Sequence, residues 1–171
     1  MSREQNRTRV VVVGGGPGGY PAAFYAADLG MDVTLVDLEE NPGGVCLYRG
    51  CIPSKALLHA AKVLHDAKEA EHFGITFPKP QVDLEKLRAW KEGVVSRMTG
   101  GLGQMRSLKR VAGVRGRGRF LGASQLSVEK EDGSTETLDF DAAILASGSR
   151  PTSIPPLLPR QKMPSLHSFP I

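Results

Sequence analysis

Val10-Val11-Val12-Val13-Gly14-Gly15-Gly16-Pro17-Gly18-Gly19-Tyr20-Pro21-Ala22-Ala23 is the stretch on which the fold turns. An unbroken β-branched run ending in glycines is the pattern of a strand buried on both faces. Gly14, Gly16 and Gly19 then fit G-x-G-x-x-G. The first glycine permits a tight turn, the second lets a pyrophosphate approach the backbone, and the third lets helix and strand pack closely. Tyr20 to Leu29 is Ala-rich and helical, with its N-terminus facing the phosphate charge. Pro21 falls in its first turn, where a missing N–H is tolerated, and Gly30 stops it. Val33 to Val36 is a second strand ending at Asp37. This β–turn–α–β order predicts a right-handed crossover and a parallel sheet. Asp37 stands roughly 20 residues after the glycines, where an acid hydrogen-bonds the ribose hydroxyls of an adenosine. Its charge disfavours a 2′-phosphate, and hence NADP. The motif leaves NAD and FAD both open, and its bland alternative is a glycine-rich turn with no ligand.

Further along, Asn41 to Gly44 reads as a turn. A helix is expected from about Cys51 to Phe73, with Leu57, Ala61, Leu64 and Ala67 on one face and Gly74 as C-cap. Pro78 and Pro80 mark a loop. A second helix is expected from an Asp83 N-cap to about Met98, with Leu84, Leu87, Val94, Val95 and Met98 inward. Gly100, Gly101 and Gly103 loosen its end, although Leu102 and Met105 continue the spacing. Strands are expected at Gly116 to Phe120, Gln125 to Glu129 and Glu136 to Phe140, the last two joined by an Asp132-Gly133 hairpin turn. Ala142 to Ala146 is a buried run ending at Ser147-Gly148-Ser149, after which the chain is Pro-rich. There is no internal repeat.

The 171 residues suffice for one domain with a core and are tight for two. No apolar run approaches the roughly 18 residues that span a bilayer. No signal-peptide pattern precedes the first strand, so the expected location is cytoplasmic, with no membrane partner. The net charge of +4 comes partly from Arg106, Lys109, Arg110, Arg115, Arg117 and Arg119. These could form a nucleic-acid surface, but no aromatic is interleaved for base stacking. In a strand, Arg115, Arg117 and Arg119 share one solvated side.

The two cysteines, Cys46 and Cys51, lie in Gly43-Gly44-Val45-Cys46-Leu47-Tyr48-Arg49-Gly50-Cys51-Ile52-Pro53-Ser54-Lys55. A pair supplies only two of the usual four zinc ligands. His59, His65 and His72 are spaced by six and seven, not the i, i+4 of a helical metal site, so no metal is expected. Cys51 falls near a helix start, where the dipole favours a thiolate, and Lys55 follows within one turn. A thiol so placed beside a second cysteine suits thiol–disulfide exchange. Two inert thiols are the other reading.

The segment Gly43 to Lys55 resembles the active-site signature of the flavin-dependent pyridine-nucleotide disulfide oxidoreductases. The run Cys51-Ile52-Pro53-Ser54-Lys55-Ala56-Leu57-Leu58 is most similar to the dihydrolipoamide dehydrogenases within it. The likeness extends from Gly14–Tyr20 at the front to Ala146–Ser149 at the back. Val45 stands where the family often has Thr, and Ser147 where it often has another Thr. The resemblance implies a Rossmann-like FAD-binding α/β domain, residues 1–150, with a parallel sheet, crossover helices and an added antiparallel β-meander. Residues 151–171 would be a Pro-rich tail at the junction to an absent NAD domain.

By that resemblance, Gly14, Gly16 and Gly19 cradle the FAD pyrophosphate, and Asp37 holds the ribose. Gly43, Gly44, Val45 and Cys46 run under the flavin, and Lys55 approaches it. Gly118 lies near the adenine, while Ser147, Gly148 and Ser149 form a second FAD-contacting turn. Cys51 is the thiol against the flavin, paired with it in charge transfer, and Cys46 the interchange thiol. Electrons would pass from dihydrolipoamide through Cys46 and Cys51 to FAD and then to NAD as co-substrate. A lipoyl-bearing acyltransferase of a 2-oxoacid dehydrogenase complex is the implied partner, and a homodimer the implied assembly. The NAD site, the dimerisation domain and the C-terminal His–Glu acid/base pair of the family have no counterpart here, His167 being the only late histidine. Full turnover by this chain alone is therefore not expected. The alternatives are a non-catalytic FAD-binding fragment, a glutathione- or mercuric-reductase-like enzyme, and an Arg-rich nucleic-acid binder.

Overall fold

A computed structural model of the chain describes residues 7–149. The Pro-rich stretch 151–171 and His167 lie outside the described residues. In chain order the elements are β1 (Arg7–Val13), α1 (Gly19–Asp28), β2 (Val33–Asp37), α2 (Gly44–Arg49), α3 (Cys51–Glu69), α4 (Leu84–Leu108), β3 (Ala112–Arg115), β4 (Arg117–Phe120), β5 (Gln125–Glu129) and β6 (Thr135–Leu145). A 3-10 turn, Ala70–Phe73, extends α3 to Gly74, which caps it in the left-handed conformation.

The six strands form one sheet in the order β3-β2-β1-β6-β5-β4. β1 pairs in parallel with β2 and β6, and β2 with β3. β4, β5 and the first half of β6 are antiparallel. The sheet is thus the expected α/β doublet of a parallel half and an added meander. Alternation along β1 decides which side each valine serves. Val10 and Val12 pack with Val33 and Leu35 against Ala23, Phe24 and Ala26 of α1. Val11 and Val36 face the other way, onto Leu126, Val128, Leu138 and Phe140, because the meander curls back over that side. Leu126 and Val128 are wholly buried there.

Several details differ from the sequence expectation. Glu136–Phe140 and Ala142–Ala146 are not two strands but parts of one, since β6 changes partner midway: Thr135 to Asp139 pair with β5, Asp139 to Leu145 with β1. Its second half is not buried, and Leu145 is 70% exposed, because nothing among the described residues covers that flank. A strand at Ala112–Arg115 was missed, being only four residues long and glycine-containing. Gly116 ends it, so Arg115 lies on a different strand from Arg117 and Arg119 rather than on one shared side.

The helix at Asp83 runs ten residues past Met98, to Leu108. Its start is as expected: Asp83 Oδ1 accepts from the N–H groups of Glu85 (3.1 Å) and Lys86 (3.0 Å). Of its glycines, Gly103 is a contact point, where a Cβ would sit 2.1 Å from Asn41 Oδ1, while Gly93, Gly100 and Gly101 have no neighbour within 4 Å. Of its expected inward residues only Val95 is buried, while Leu84 and Met98 are exposed. On α3, Ala61 and Leu64 are likewise exposed and Ala56 is the buried residue. The two helices pack mainly on each other and on α2, away from the sheet core.

Candidate functional site

The glycine turn joins β1 to α1, and its three motif glycines do different things. Gly14 has φ +105°, and a Cβ there would lie 2.1 Å from the Ala146 carbonyl oxygen. Gly19 is equally constrained, since its Cβ would meet the Gly14 carbonyl oxygen at 1.7 Å. Both therefore serve close packing of the backbone. At Gly16 a Cβ would meet only Gly44 Cα, at 3.8 Å, so this glycine leaves open surface at the mouth of the turn. No side chain caps the start of α1, and its first turn carries no acid. The partial positive charge of that helix end is thus left for an anion.

Asp37 closes the turn from β2. Its Oδ2 accepts from the Gly15 N–H at 2.5 Å and its Oδ1 from the Glu39 N–H at 2.8 Å. From β6, the Ala146 N–H donates to the Val13 carbonyl at 2.8 Å. That places Ser147, Gly148 (φ +72°) and Ser149, all exposed, beside Gly14. Residues more than 100 positions apart are so gathered around one turn.

The cysteine segment is fastened to the same turn. The Gly43 N–H donates to the Gly15 carbonyl at 2.8 Å. Gly44, at φ +57°, lies so close that a Cβ would be 2.5 Å from Gly16 Cα. Cys46, half-buried, is carried by α2, a helix of six residues that the sequence reading did not anticipate. Cys51, exposed, is the first residue of α3, at the helix start as expected. Gly50 is the joint between the two helices: a Cβ on it would meet the Val45 carbonyl oxygen at 3.0 Å and Cys46 Cα at 3.3 Å.

Both cysteines are thiols in this structure, and the Cys46 thiol hydrogen-bonds to Cys51. That bond, reinforced by burial, pushes the Cys46 thiol above its ordinary value, while the Lys55 ammonium pulls it the other way. The Gly50 joint, whose would-be Cβ lies 3.3 Å from Cys46 Cα, brings together the two helices that carry the pair, with Lys55 in electrostatic reach. Val45 is exposed beside it.

Gly118 is not part of this gathering. It lies in β4, where a Cβ would touch Leu126 at 3.4 Å and Val13 at 3.5 Å. The neighbour that reaches Asp37 is Gly116, whose N–H donates to the Asp37 carbonyl at 2.8 Å. The Gly116-x-Gly118 repeat could have flagged both. Sequence reasoning also passed over Glu39, Asn41, Tyr48 and Thr99. Two clefts open here, one of about 180 Å³ lined by Asp37, Pro42, Val114 and Arg115, the other of about 440 Å³ lined by Glu39, Tyr48, Ser96 and Thr99. No periodicity signals such a cleft, because its walls come from three separate elements and the loop after β2.

Three of the six basic residues are engaged by neighbouring groups. Arg106 donates to the Glu40 carbonyl at 2.9 Å, Lys109 pairs with Asp28 at 2.5 Å, and Arg115 pairs with Glu131 at 3.2 Å. His59 stacks near Trp90, and His72 lies 3.6 Å from Glu69. Among the described residues, no cluster of three or more His, Cys, Asp or Glu is placed to hold a metal, and no helix is long and apolar enough to cross a membrane.

A family model described as pyridine nucleotide-disulphide oxidoreductase matches residues 8–163. Dihydrolipoyl dehydrogenase from Vibrio cholerae is 48% identical over 155 residues, covering 91% of this chain and 32% of that protein. Dihydrolipoyl dehydrogenase from Vibrio parahaemolyticus is 50% identical with the same coverage. The crystal structure of LpdA from Mycobacterium tuberculosis superposes with a TM-score of 0.76 at 25% identity, covering 86% of this chain and 33% of that one. The chain thus spans about a third of the length of the curated relatives it matches.

Proposed function

Because the chain belongs to the pyridine nucleotide-disulphide oxidoreductase family, we propose that it forms the FAD-binding, thiol-bearing part of a dihydrolipoyl dehydrogenase-like flavoprotein. The observation that carries this reading is the clasp between the two motifs. Gly43 hydrogen-bonds Gly15, and Gly44 rests on Gly16, so a dinucleotide in the turn and the Cys46–Cys51 pair share one site.

The residues fit FAD. The uncapped start of α1 and the open face of Gly16 take the pyrophosphate, Asp37 the adenosine ribose, and Ser147 to Ser149 a second edge of the cofactor. Gly43 to Cys46 and Lys55 border its reactive end, and Gly118 stands on the strand behind the adenine. FAD, when bound, supplies a two-electron acceptor beside the thiols, from which NAD takes the pair.

The chain's own part is thiol exchange. With the pair as a disulfide, a thiolate of the substrate dithiol attacks the Cys46 sulfur, and the Cys46–Cys51 bond breaks with Cys51 leaving as thiolate. The substrate's second thiolate then displaces Cys46. The substrate departs as a disulfide, and two electrons remain on the two cysteines. Cys46 is the interchange thiol, Cys51 faces the flavin, and Lys55 steadies the negative charge that develops between them.

Residues 1–150 form the cofactor-binding unit and 151–171 begin the link toward an NAD domain. The substrate class is a lipoyl dithiol on the acyltransferase of a 2-oxoacid dehydrogenase complex, the assembly a homodimer and the location cytoplasmic. The described residues carry the dithiol half-reaction.

The test is the visible spectrum of the purified chain after loading with FAD, desalting and anaerobic reduction with dihydrolipoamide. Retained flavin with a new long-wavelength band is expected. Colourless protein overturns the reading.

A further inference from the structure

Tyr48 is used neither by the dinucleotide turn nor by the thiol exchange. It lies two residues after Cys46 on α2, and its hydroxyl donates to the Asn41 carbonyl at 3.0 Å. Thr99 of α4, only 5% exposed, lines the same cleft as the phenol, and burial pushes that phenol above its ordinary value. Thr99 is itself fixed, its hydroxyl donating to the Val95 carbonyl at 3.1 Å. The next residue, Arg49, is paired with Glu39, whose N–H holds Asp37. Tyr48 and Arg49 form the last turn of α2, directly before the Gly50 joint. A six-residue helix has no stability of its own, so these ties decide where it sits.

We propose that Tyr48, with Arg49 beside it, is a positioning residue for the cysteine pair: the two side chains pin the end of α2 to Asn41 and Glu39, and so hold the Cys46 sulfur where it closes readily onto Cys51. Closing a disulfide is an intramolecular step whose equilibrium follows the effective concentration of one thiol at the other. A loosened α2 spreads the Cys46 sulfur over more positions and disfavours closure. This inference rests on the redox reading of the pair.

The chain is equilibrated in glutathione buffers, its free thiols trapped with iodoacetamide and the products counted by mass. On closure Cys46 and Cys51 lose two protons and two electrons, and glutathione disulfide takes them up as two glutathione thiols. Removing one hydrogen bond should lower the closure constant of Tyr48→Phe about fivefold. At about 30 mV per tenfold, that raises the pair's potential by roughly 20 mV. Glu39→Gln, a surface change that removes the charge holding Arg49, should lower it about twofold. Ser134→Ala breaks a 2.6 Å hydrogen bond to Asp132 on the distant hairpin and should leave the constant unchanged. A merely structural role for Tyr48 would lower stability and leave the closure constant alone.

If the unaltered chain stays as two thiols across the buffers, the redox reading itself fails. If it closes and Tyr48→Phe has the same constant, the positioning role is overturned. Should Tyr48→Phe not fold, Glu39→Gln carries the decision on the same terms.

Discussion

Gly44→Ala is expected to be among the most damaging single-methyl additions to this chain, and the cost can be worked from two contributions. Gly44 sits at φ +57°, a conformation that costs an alanine about 1–2 kcal/mol. The added Cβ would also stand 2.5 Å from Gly16 Cα and 3.1 Å from Gly16 N, both backbone atoms that cannot rotate aside. Relieving such overpacking costs roughly 1–3 kcal/mol more. The sum is about 2–5 kcal/mol, a large share of the roughly 5–15 kcal/mol that holds an ordinary domain folded. Gly74→Ala isolates the first contribution, because Gly74 has φ +84° and nothing within 4 Å of its would-be Cβ. Urea unfolding followed by far-ultraviolet circular dichroism measures both variants. Gly44→Ala should lose about 1–3 kcal/mol more than Gly74→Ala. Equal losses would refute the claim that the cysteine segment is clasped directly onto the glycine turn.

Gly16→Ala should behave in the opposite sense: its Cβ meets nothing closer than 3.8 Å, so urea stability is kept while retention of FAD after desalting is lost. Along α4, Gly100→Ala and Gly101→Ala meet no neighbour within 4 Å and should each stabilise the chain by about 1 kcal/mol. Gly103→Ala reverses that gain by striking Asn41 Oδ1, and thermal unfolding of the three variants ranks them. The proton of the Cys46 thiol is held by Cys51 and by burial, so its folded-state value is raised. The stability it contributes is complete below the ordinary thiol value and is lost as pH rises through the raised one. Cys51→Ala should move the midpoint of Cys46 alkylation by iodoacetamide downward, part of the way to the ordinary value. An unmoved midpoint would show that the two sulfurs do not interact.

The sequence was most readable where one local rule decides the conformation. The β1–turn–α1–β2 unit follows from four valines, three glycines and the position of Asp37, and the Asp83 cap and Asp132-Gly133 hairpin from turn chemistry. Reading failed where a distant contact overrides local preference. The glycines of α4 look like a helix end, but Gly103 is there to admit Asn41. Ala142 to Leu145 look buried, but among the described residues only one edge of that segment is paired, to β1. In the site, the glycine and cysteine motifs were legible as separate units. Their clasp through Gly43 and Gly44 was not, and neither was the fastening of α2 by Tyr48 and Arg49, since each depends on how α2 lies against α4 and β2.

The pairing of β1 with β6 also sets a timetable. β1 and β2 are adjacent in sequence and can pair early, whereas Val13 finds its partner at Leu145 only after α4 and the meander have been made. At a synthesis rate of about 5–20 residues per second, β2 waits roughly 5–20 seconds for the end of β6. During that interval the Gly14 turn lacks the Ala146 backbone that lies over it in the folded chain. Contacts so remote in sequence are intrinsically slow to form. A nascent chain halted before residue 140 should therefore show the Gly14 and Gly15 amides, held by Val36 and Asp37 of β2, already protected from exchange. The edge of β1 that faces Ala142 to Leu145 gains its protection only once the last strand has docked.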